Sequence, residues 1–137
     1  MKISILLPLK ENFSPVYAGA VSLFINDTLE YSKFKKNVTV FGQTEFKETF
    51  NKKYFNINTN KSLFQSQNKD YVKQFIKKEK QLNSQVIELH NRPIYVKYLV
   101  KELKNRNYIL YFHNDPLTMS GSKSISDRSY LLNNCYR

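Results

Sequence analysis

The sequence predicts an α/β protein with an open, parallel sheet and helices on both faces. Short, largely apolar runs alternate along the chain with longer segments in which apolar residues recur every three or four positions. Strands that alternate with helices favour parallel pairing, because each helix carries the chain back across the sheet. The 137 residues, of which 41% are hydrophobic, are enough for one packed domain but not for two. We therefore expect a single Rossmann-like domain over residues 1–137.

The first βαβ unit is the clearest part of this pattern. The run from Ile3 to Pro8 lies between two lysines and predicts a first strand that is covered on both faces. A helix is predicted from Gly19 to Ser32, because its apolar residues recur at three and four positions and form one stripe. A second strand is predicted over Asn37 to Phe41, where the sequence is rich in β-branched residues and ends at a glycine.

The middle of the chain has a weaker pattern. From Gln43 to Gln67 aromatic residues are scattered without a clear period, and only a short strand near Tyr54 to Ile57 is expected. Helical order returns from Asn68 to Leu82, with a narrow apolar stripe and five lysines mainly on other faces. A solvated lysine face is the simpler interpretation of this helix. The alternative is that it rests on an anionic membrane surface.

The second half repeats the alternation of strand and helix. Strands are predicted over Val86 to His90 and Tyr108 to His113, and the helix between them is marked by Val96, Leu99, Val100 and Leu103. Ser124 and Asp127 have the spacing of a capping box that opens a last helix. Because a further strand normally follows such a helix in a doubly wound sheet, we expect another element to follow the last residue of this sequence.

Composition excludes several classes of protein and favours anionic partners. The 22 Lys and Arg against 11 Asp and Glu give a net charge of +11, which attracts phosphate esters, nucleic acid and anionic lipid. The lysines are spread over the whole chain, so charge alone does not identify a partner. Only three glycines are present, and the sequence therefore contains neither a dinucleotide-binding fingerprint nor a P-loop.

Cysteine and the N-terminal run indicate the compartment. Cys135 is the single cysteine, which excludes a disulfide framework and a Cys-based zinc site and fits a reducing environment. We expect this thiol to be buried near a helix end. The first apolar run is too short for a secretory signal or a membrane span, so a cytoplasmic protein is expected.

Two predicted strands end in nearly the same way, with the segments His90 to Pro93 and His113 to Pro116. For either segment alone, a turn stabilised by Asn and Pro is the simpler interpretation. Two such segments on adjacent strands favour a binding crevice, since parallel strands end at one edge and neighbouring ends lie about 5 to 10 Å apart. The crevice would collect two imidazoles, two amides, Arg92 and Asp115. These groups suit a hydroxyl-rich ligand that carries negative charge.

A third loop reaches the same edge of the predicted sheet. Ser14 to Gly19 leads from the first strand into a helix N-terminus, where free backbone N–H groups attract phosphate. By itself, a single glycine before a helix more often marks a tight turn than an anion-binding site. A zinc site made from His90 and His113 has too few ligands to be favoured, and no paired carboxylates support a hydrolase.

Together these motifs resemble the N-terminal domain of glycosyltransferases of family 4, which have the two-domain GT-B architecture. The resemblance covers nearly the whole chain. It is carried by Ile5 to Pro8, Pro15 to Ala20, Val38 to Gly42, Val86 to Pro93, Tyr111 to Leu117, Gly121 to Ser124, and Asp127 with Arg128. The last four look most like bacterial members that modify surface polysaccharide.

The resemblance implies retaining transfer of a sugar from a nucleotide sugar to an acceptor hydroxyl, without a metal or another cofactor. The family's turn at the donor diphosphate corresponds to Ala18 and Gly19. The family's histidine that contacts the transferred sugar corresponds to His113, which would orient that sugar.

The same resemblance assigns the remaining polar residues of the two strand ends. It implies that His90, Asn91 and Arg92 face the acceptor, a glycan or a lipid-linked sugar. Asn114 and Asp115 would share the contacts with the transferred sugar.

The resemblance also implies that a second domain is needed. The family binds its donor nucleotide largely in a C-terminal domain with an E-x7-E motif, and no two glutamates of this chain stand eight positions apart. We expect that domain in a missing C-terminal part or a partner subunit, and the isolated chain to catalyse little.

The alternative to an enzyme is a basic module that binds nucleic acid or an anionic membrane. For the enzyme, nucleic acid is not an expected partner, whereas the inner face of the cell membrane is a place where lipid-linked acceptors occur.

Overall fold

A computed structural model describes residues 1–50, 53–59 and 66–135. It contains five strands, which are β1 (Ile3–Leu6), β2 (Val38–Gly42), β3 (Tyr54–Asn56), β4 (Val86–His90) and β5 (Asn107–Tyr111). Its four α-helices are α1 (Ala20–Tyr31), α2 (Gln67–Leu82), α3 (Pro93–Glu102) and α4 (Ile125–Asn134). All strand pairs are parallel, in the order β3-β2-β1-β4-β5. The predicted Rossmann-like α/β fold is therefore confirmed.

The two faces of the sheet bury separate apolar clusters. Successive side chains of a strand point to opposite faces, so Ile5 of β1 packs with α1 while Leu6 packs with the other helices. The cluster on the α1 side consists of Ile5, Leu7, Phe13, Val21, Ile25, Val38 and Val40. The opposite cluster is larger and includes the buried stripes of α2 and α3 and Leu131 of α4. The predicted helices on both faces are thus present.

β1 and β5 each end two residues earlier than the sequence predicts, for different reasons. β1 stops at Leu6 although the chain stays buried to Pro8, because proline has no N–H for the ladder. β5 stops at Tyr111 rather than at His113. Beyond Tyr111, the side chain of Asn91, which follows β4, takes the place of a backbone partner on the neighbouring strand. The Asn91 amide oxygen accepts from the backbone N–H of His113, at 2.7 Å.

The last helix begins as predicted. The Ser124 hydroxyl accepts from the N–H of Asp127, and the Asp127 carboxylate accepts from the N–H of Ser124, which completes the capping box. After α4, the backbone at Cys135 forms a parallel bridge with Tyr108 of β5. The Cys135 thiol is half-buried at the helix end, where burial raises its pKa to about 11.

Helix lengths and compositions bear on membrane crossing. Within the three described ranges, no helix is both long enough and apolar enough to cross a bilayer.

Candidate functional site

A polar cavity of about 650 Å³ lies at the carboxyl edge of the sheet. We call it the edge cavity. Its wall combines the ends of β1, β4 and β5 with the start of α2 and the first turns of α3. The lining residues are Leu9, Lys10, Ser66, Gln67, Asn68, Asn91, Arg92, Ile94, Tyr98, Asn114, Thr118, Met119 and Ser120. The edge cavity therefore lies where open α/β sheets bind their ligands.

The chemistry of the edge cavity is that of amides and cations. Asn68, Asn91 and Asn114 supply both donors and acceptors, and Lys10 and Arg92 supply positive charge. Lys10 lies four residues after the end of β1 and has a positive φ of 67°, so the chain turns sharply at this residue. A ligand with several hydroxyls and one anionic group would satisfy this set.

Asn91 connects the ends of β4 and β5. Its backbone φ of 51° turns the chain out of the strand, and its N–H donates to the Tyr111 carbonyl. Its side-chain oxygen accepts from the N–H of His113 and, at 3.3 Å, from that of Asn114. The oxygen is therefore already used, and the side-chain nitrogen of Asn91 is the part that remains for a ligand.

Arg92 lies at the N-terminus of α3, beside Asn91. One guanidinium nitrogen donates to the Asn91 carbonyl at 2.8 Å, which holds the side chain along the wall of the edge cavity. The guanidinium also interacts with the Tyr95 hydroxyl. Its planar fork of N–H groups is of the kind that binds anions. Arg92 therefore lines the edge cavity, and its anion-binding role stays a prediction.

The two histidines lie side by side, as the adjacent strand ends predicted. Nδ1 of His90 and Nε2 of His113 are 2.8 Å apart, and Nε2 of His90 is 2.8 Å from the Glu88 carboxylate. The His90 ring has no exposed surface, whereas His113 is exposed. A ligand would therefore reach His113 and not His90. We call Glu88, His90 and His113 the histidine relay.

Aromatic rings hold the histidine relay in place. The Tyr111 ring stacks on His90 with centroids 5.0 Å apart and planes within 7°. Phe24 of α1 meets the His113 ring edge-on, also at 5.0 Å. Partial burial of the ring, and then the neighbouring His90, lower the pKa of His113 below its ordinary value of 6.5, while Glu11 opposes this shift. His113 is consequently neutral at neutral pH.

The turn before α1 already holds an anion of the chain itself. The Glu11 carboxylate accepts from the N–H of Ser22 in the first turn of α1, at 3.0 Å. It approaches Gly19 so closely that a Cβ there would lie 2.0 Å from a carboxylate oxygen. Ala18 and Gly19 are half-buried. A phosphate at this turn would require Glu11 to move, so their assignment to the donor diphosphate stays a prediction.

Asp115 acts as a turn residue in this structure. Its carboxylate accepts from the N–H of Leu117 and caps a short 3₁₀ turn over Pro116–Thr118. It is exposed and does not line the edge cavity. Asn114, its neighbour, does line the cavity, so only one of the two predicted contacts lies there.

Three residues at this edge were not predicted from the sequence. Glu88 stands two positions before His90, and this spacing places both side chains on one face of a strand, so it was a usable signal. Lys10 and Asn68 had no such signal, because their positions depend on how loops pack. Across the described part of the chain, no group of three or more His, Cys, Asp or Glu side chains is arranged to hold a metal ion.

Comparisons with protein-family models, curated proteins and solved structures gave no match. A function for the chain has to be argued from its residues and from the geometry of this edge.

Proposed function

We propose that this chain is the acceptor-side, N-terminal domain of a retaining, metal-independent glycosyltransferase. The enzyme would transfer a sugar from a nucleotide sugar to a polysaccharide or lipid-linked acceptor, in the synthesis of bacterial cell-surface glycans. The observation that carries this proposal is the edge cavity with the exposed His113 next to Asn114 of its wall. The motif resemblance described above supports the same interpretation.

The size and chemistry of the edge cavity support a sugar ligand. Its volume of about 650 Å³ is within the range of small-molecule sites. Amide groups bind sugar hydroxyls well because each amide can donate to one hydroxyl and accept from another. In this proposal Asn91 and Asn114 bind hydroxyls, Arg92 and Lys10 hold an anionic group, and His113 orients the transferred sugar.

The proposal includes a second domain that binds the donor nucleotide. This domain would belong to the same protein or to a partner subunit. The edge cavity has two cations but no glycine-rich loop for a nucleotide. A closed site would be needed to exclude water and to stabilise charge on the leaving diphosphate. By itself the chain should bind saccharides only weakly. We expect a Kd of about 1 mM, which corresponds to a binding free energy of about −4 kcal/mol.

Titration of the ¹⁵N-labelled chain followed by NMR tests this function. The ligands are a panel of neutral saccharides, sugar phosphates and nucleotide sugars. We expect chemical-shift changes at Lys10, Asn91, Arg92 and Asn114, and at least tenfold weaker binding for Asn114→Ala. The matched control is Asn133→Ala on the exposed surface of α4, which should bind like the wild type. The proposal fails if no member of the panel shifts resonances around the edge cavity.

A specific observation also favours the second candidate function, a non-enzymatic basic module. A groove of about 770 Å³ runs between α2 and α3, with an apolar floor that includes Val72, Ile76 and Tyr98. We call it the basic groove. Its rim carries one acidic residue, Glu102, and five lysines, which are Lys69, Lys73, Lys77, Lys80 and Lys101. Anionic lipid at the inner face of the cell membrane, or nucleic acid, would suit this groove.

Binding to anionic vesicles and to single-stranded nucleic acid tests the second candidate. It predicts salt-sensitive binding that survives replacement of both Asn91 and His113 by alanine. The double variant Lys73→Glu with Lys77→Glu should abolish binding, whereas Lys33→Glu with Lys36→Glu, equal in charge but outside the groove, should retain most of it. Equal effects of the two double variants would show that only net charge matters and would exclude the groove.

A further inference from the structure

The histidine relay forms an unbroken line of hydrogen bonds from the α1 face of the sheet to its carboxyl edge. Glu88 and His90 lie on β4, and His113 lies just after β5. Both hydrogen bonds in the line are 2.8 Å long. The middle member, His90, is fully buried, so water cannot replace either of its partners.

The direction of the hydrogen bonds follows from counting protons. An ionised carboxylate only accepts, so Glu88 requires the proton of His90 to be on Nε2. We take His90 to carry this single proton, which leaves its Nδ1 as an acceptor. His113 must then donate to it from Nε2. The remaining nitrogen of His113, Nδ1, is left without a proton.

We infer that Glu88 and His90 are positioning residues that set the tautomer of His113, so that its Nδ1 accepts a hydrogen bond from the ligand. A hydroxyl or an N–H group can donate to this nitrogen. A phosphate or carbonyl oxygen cannot, because it only accepts. The inference rests on the proposed function where it names a sugar hydroxyl as the donor, and it excludes the donor diphosphate as the partner of His113.

The surroundings of the relay keep the His113 ring in this orientation. Phe24 packs against the His113 ring, and the Asn91 side-chain oxygen accepts a hydrogen bond from the backbone N–H of His113. The ring therefore cannot rotate to exchange its two nitrogens without losing the bond to His90. Within the described residues, Nδ1 of His113 has no hydrogen-bond partner of its own.

The charge state required by the inference agrees with the groups that act on His113. Burial of the His113 ring, and then the neighbouring His90, lower the pKa of His113, and Glu11, from the segment before α1, acts in the opposite direction. Glu88 contacts His90, and the α1 side chain in contact with the His113 ring is the uncharged Phe24. With the net effect lowering the pKa of His113, Nδ1 keeps its lone pair at neutral pH.

NMR of the histidine side chains tests the inference on the wild-type chain. Long-range ¹H–¹⁵N spectra at about pH 8, above the ordinary histidine pKa, report which nitrogen carries the proton. We expect one tautomer of His113, with the proton on Nε2, and a scalar coupling across the N–H···N bond to His90. A proton on Nδ1 of His113, or the absence of that coupling, would overturn the inference without any variant.

A variant tests whether Glu88 sets this tautomer. Glu88→Met keeps the length of the side chain but removes the acceptor, so His90 can place its proton on either nitrogen. We expect the minor tautomer of His113 to increase at least tenfold and the coupling to be lost. Glu45→Leu, which removes an exposed carboxylate after β2, should leave both signals unchanged. Persistence of the single tautomer in a folded Glu88→Met variant would overturn the positioning role.

The measurement of the His113 tautomer and the saccharide titration can fail independently of each other. A fixed Nε2 tautomer in a chain that binds no saccharide would support the relay and refute sugar transfer. Saccharide binding by a chain whose His113 carries its proton on Nδ1 would support the proposed function and refute the relay.

Discussion

At the scale of single residues, His113 combines exposure to solvent with a fixed environment. Its ring contacts His90 and Phe24, and its backbone is held by Asn91. Most exposed side chains exchange rotamers freely and lose entropy when they bind a ligand. The contacts of His113 impose that cost during folding instead, so the ring is already oriented when a ligand arrives.

The lowered pKa of His113 predicts a pH dependence of stability. Because the folded chain disfavours the charged ring, the unfolded chain binds more protons between the folded pKa and the ordinary value of 6.5. The contribution to the free energy of unfolding is therefore complete above about pH 6.5. It is lost as the pH falls through this window.

Urea unfolding at a series of pH values measures this contribution. His113→Gln should show a shallower loss of stability on acidification than the wild type, since glutamine does not titrate. The difference should be smaller than a full one-proton slope because the ring is exposed to solvent. Asn114→Ala, a neighbouring change without a titrating group, should keep the wild-type slope. Equal slopes for His113→Gln and wild type would contradict the prediction.

At the scale of elements, α2 is fixed to the sheet by a buried carboxylate at the edge opposite the site. Glu79 accepts from the Ser4 hydroxyl of β1 at 2.5 Å and from the N–H of Ser84, just before β4, at 2.7 Å. The two serine hydroxyls are 2.9 Å apart, and all three side chains are fully buried. This network joins the C-terminal part of α2 to β1 and to the approach to β4.

Removal of Glu79 should therefore destabilise the chain strongly. Glu79→Ala leaves the N–H of Ser84 buried without an acceptor and leaves the Ser4 hydroxyl only the Ser84 hydroxyl as a partner, and we expect a loss of about 2 to 4 kcal/mol. Glu79→Gln should lose less, because its amide can still accept from Ser84 and donate to Ser4. Chemical denaturation checks both variants. Glu102→Ala, which breaks only an exposed ion pair with Lys80, should cost about 0.5 kcal/mol or less.

At the scale of the whole molecule, the excess of positive charge opposes the compact state. The net charge is +11, and the lysines of α2 and α3 around the basic groove are close enough to repel one another. Dissolved salt screens such repulsion over distances of about 10 Å. The folded chain gains from this more than the unfolded chain, in which the charges are farther apart.

Sodium chloride should accordingly raise the stability of the wild type. We expect the thermal midpoint to increase from low to moderate salt, and to increase less in a double variant with Lys33→Glu and Lys47→Glu. Replacement of each exposed lysine by glutamate lowers the net charge by two units, so the double variant lowers the charge of +11 by four. A salt response that is the same in both proteins would show that self-repulsion does not limit stability.

Local pattern was sufficient for most of the fold. β4 has the predicted bounds, Val86–His90, and α1 and α2 begin and end within one residue of prediction. The pattern works here because each element buries one face, and burial imposes the period of two or 3.6 on the sequence. The short β3 was expected over Tyr54 to Ile57 and observed over Tyr54–Asn56.

The candidate site was only partly accessible to the same reasoning. The proximity of His90 and His113 followed from parallel strands that end at one edge, and the structure confirms it. The burial of His90 and the occupation of the α1 N-terminus by Glu11 did not follow. Both depend on which way a side chain points from a loop or a strand end, where no repeating pattern constrains it.

The sequence by itself thus determined the parallel α/β architecture and the edge at which polar groups collect, because hydrophobic periodicity and the direction of strands are local properties. Only the tertiary structure decided which of those groups face solvent. Glu88, His90 and His113 form one hydrogen-bonded line because strand register and the packing of α1 bring them within bonding distance. Such distances depend on contacts between residues far apart in the chain, which no local pattern encodes.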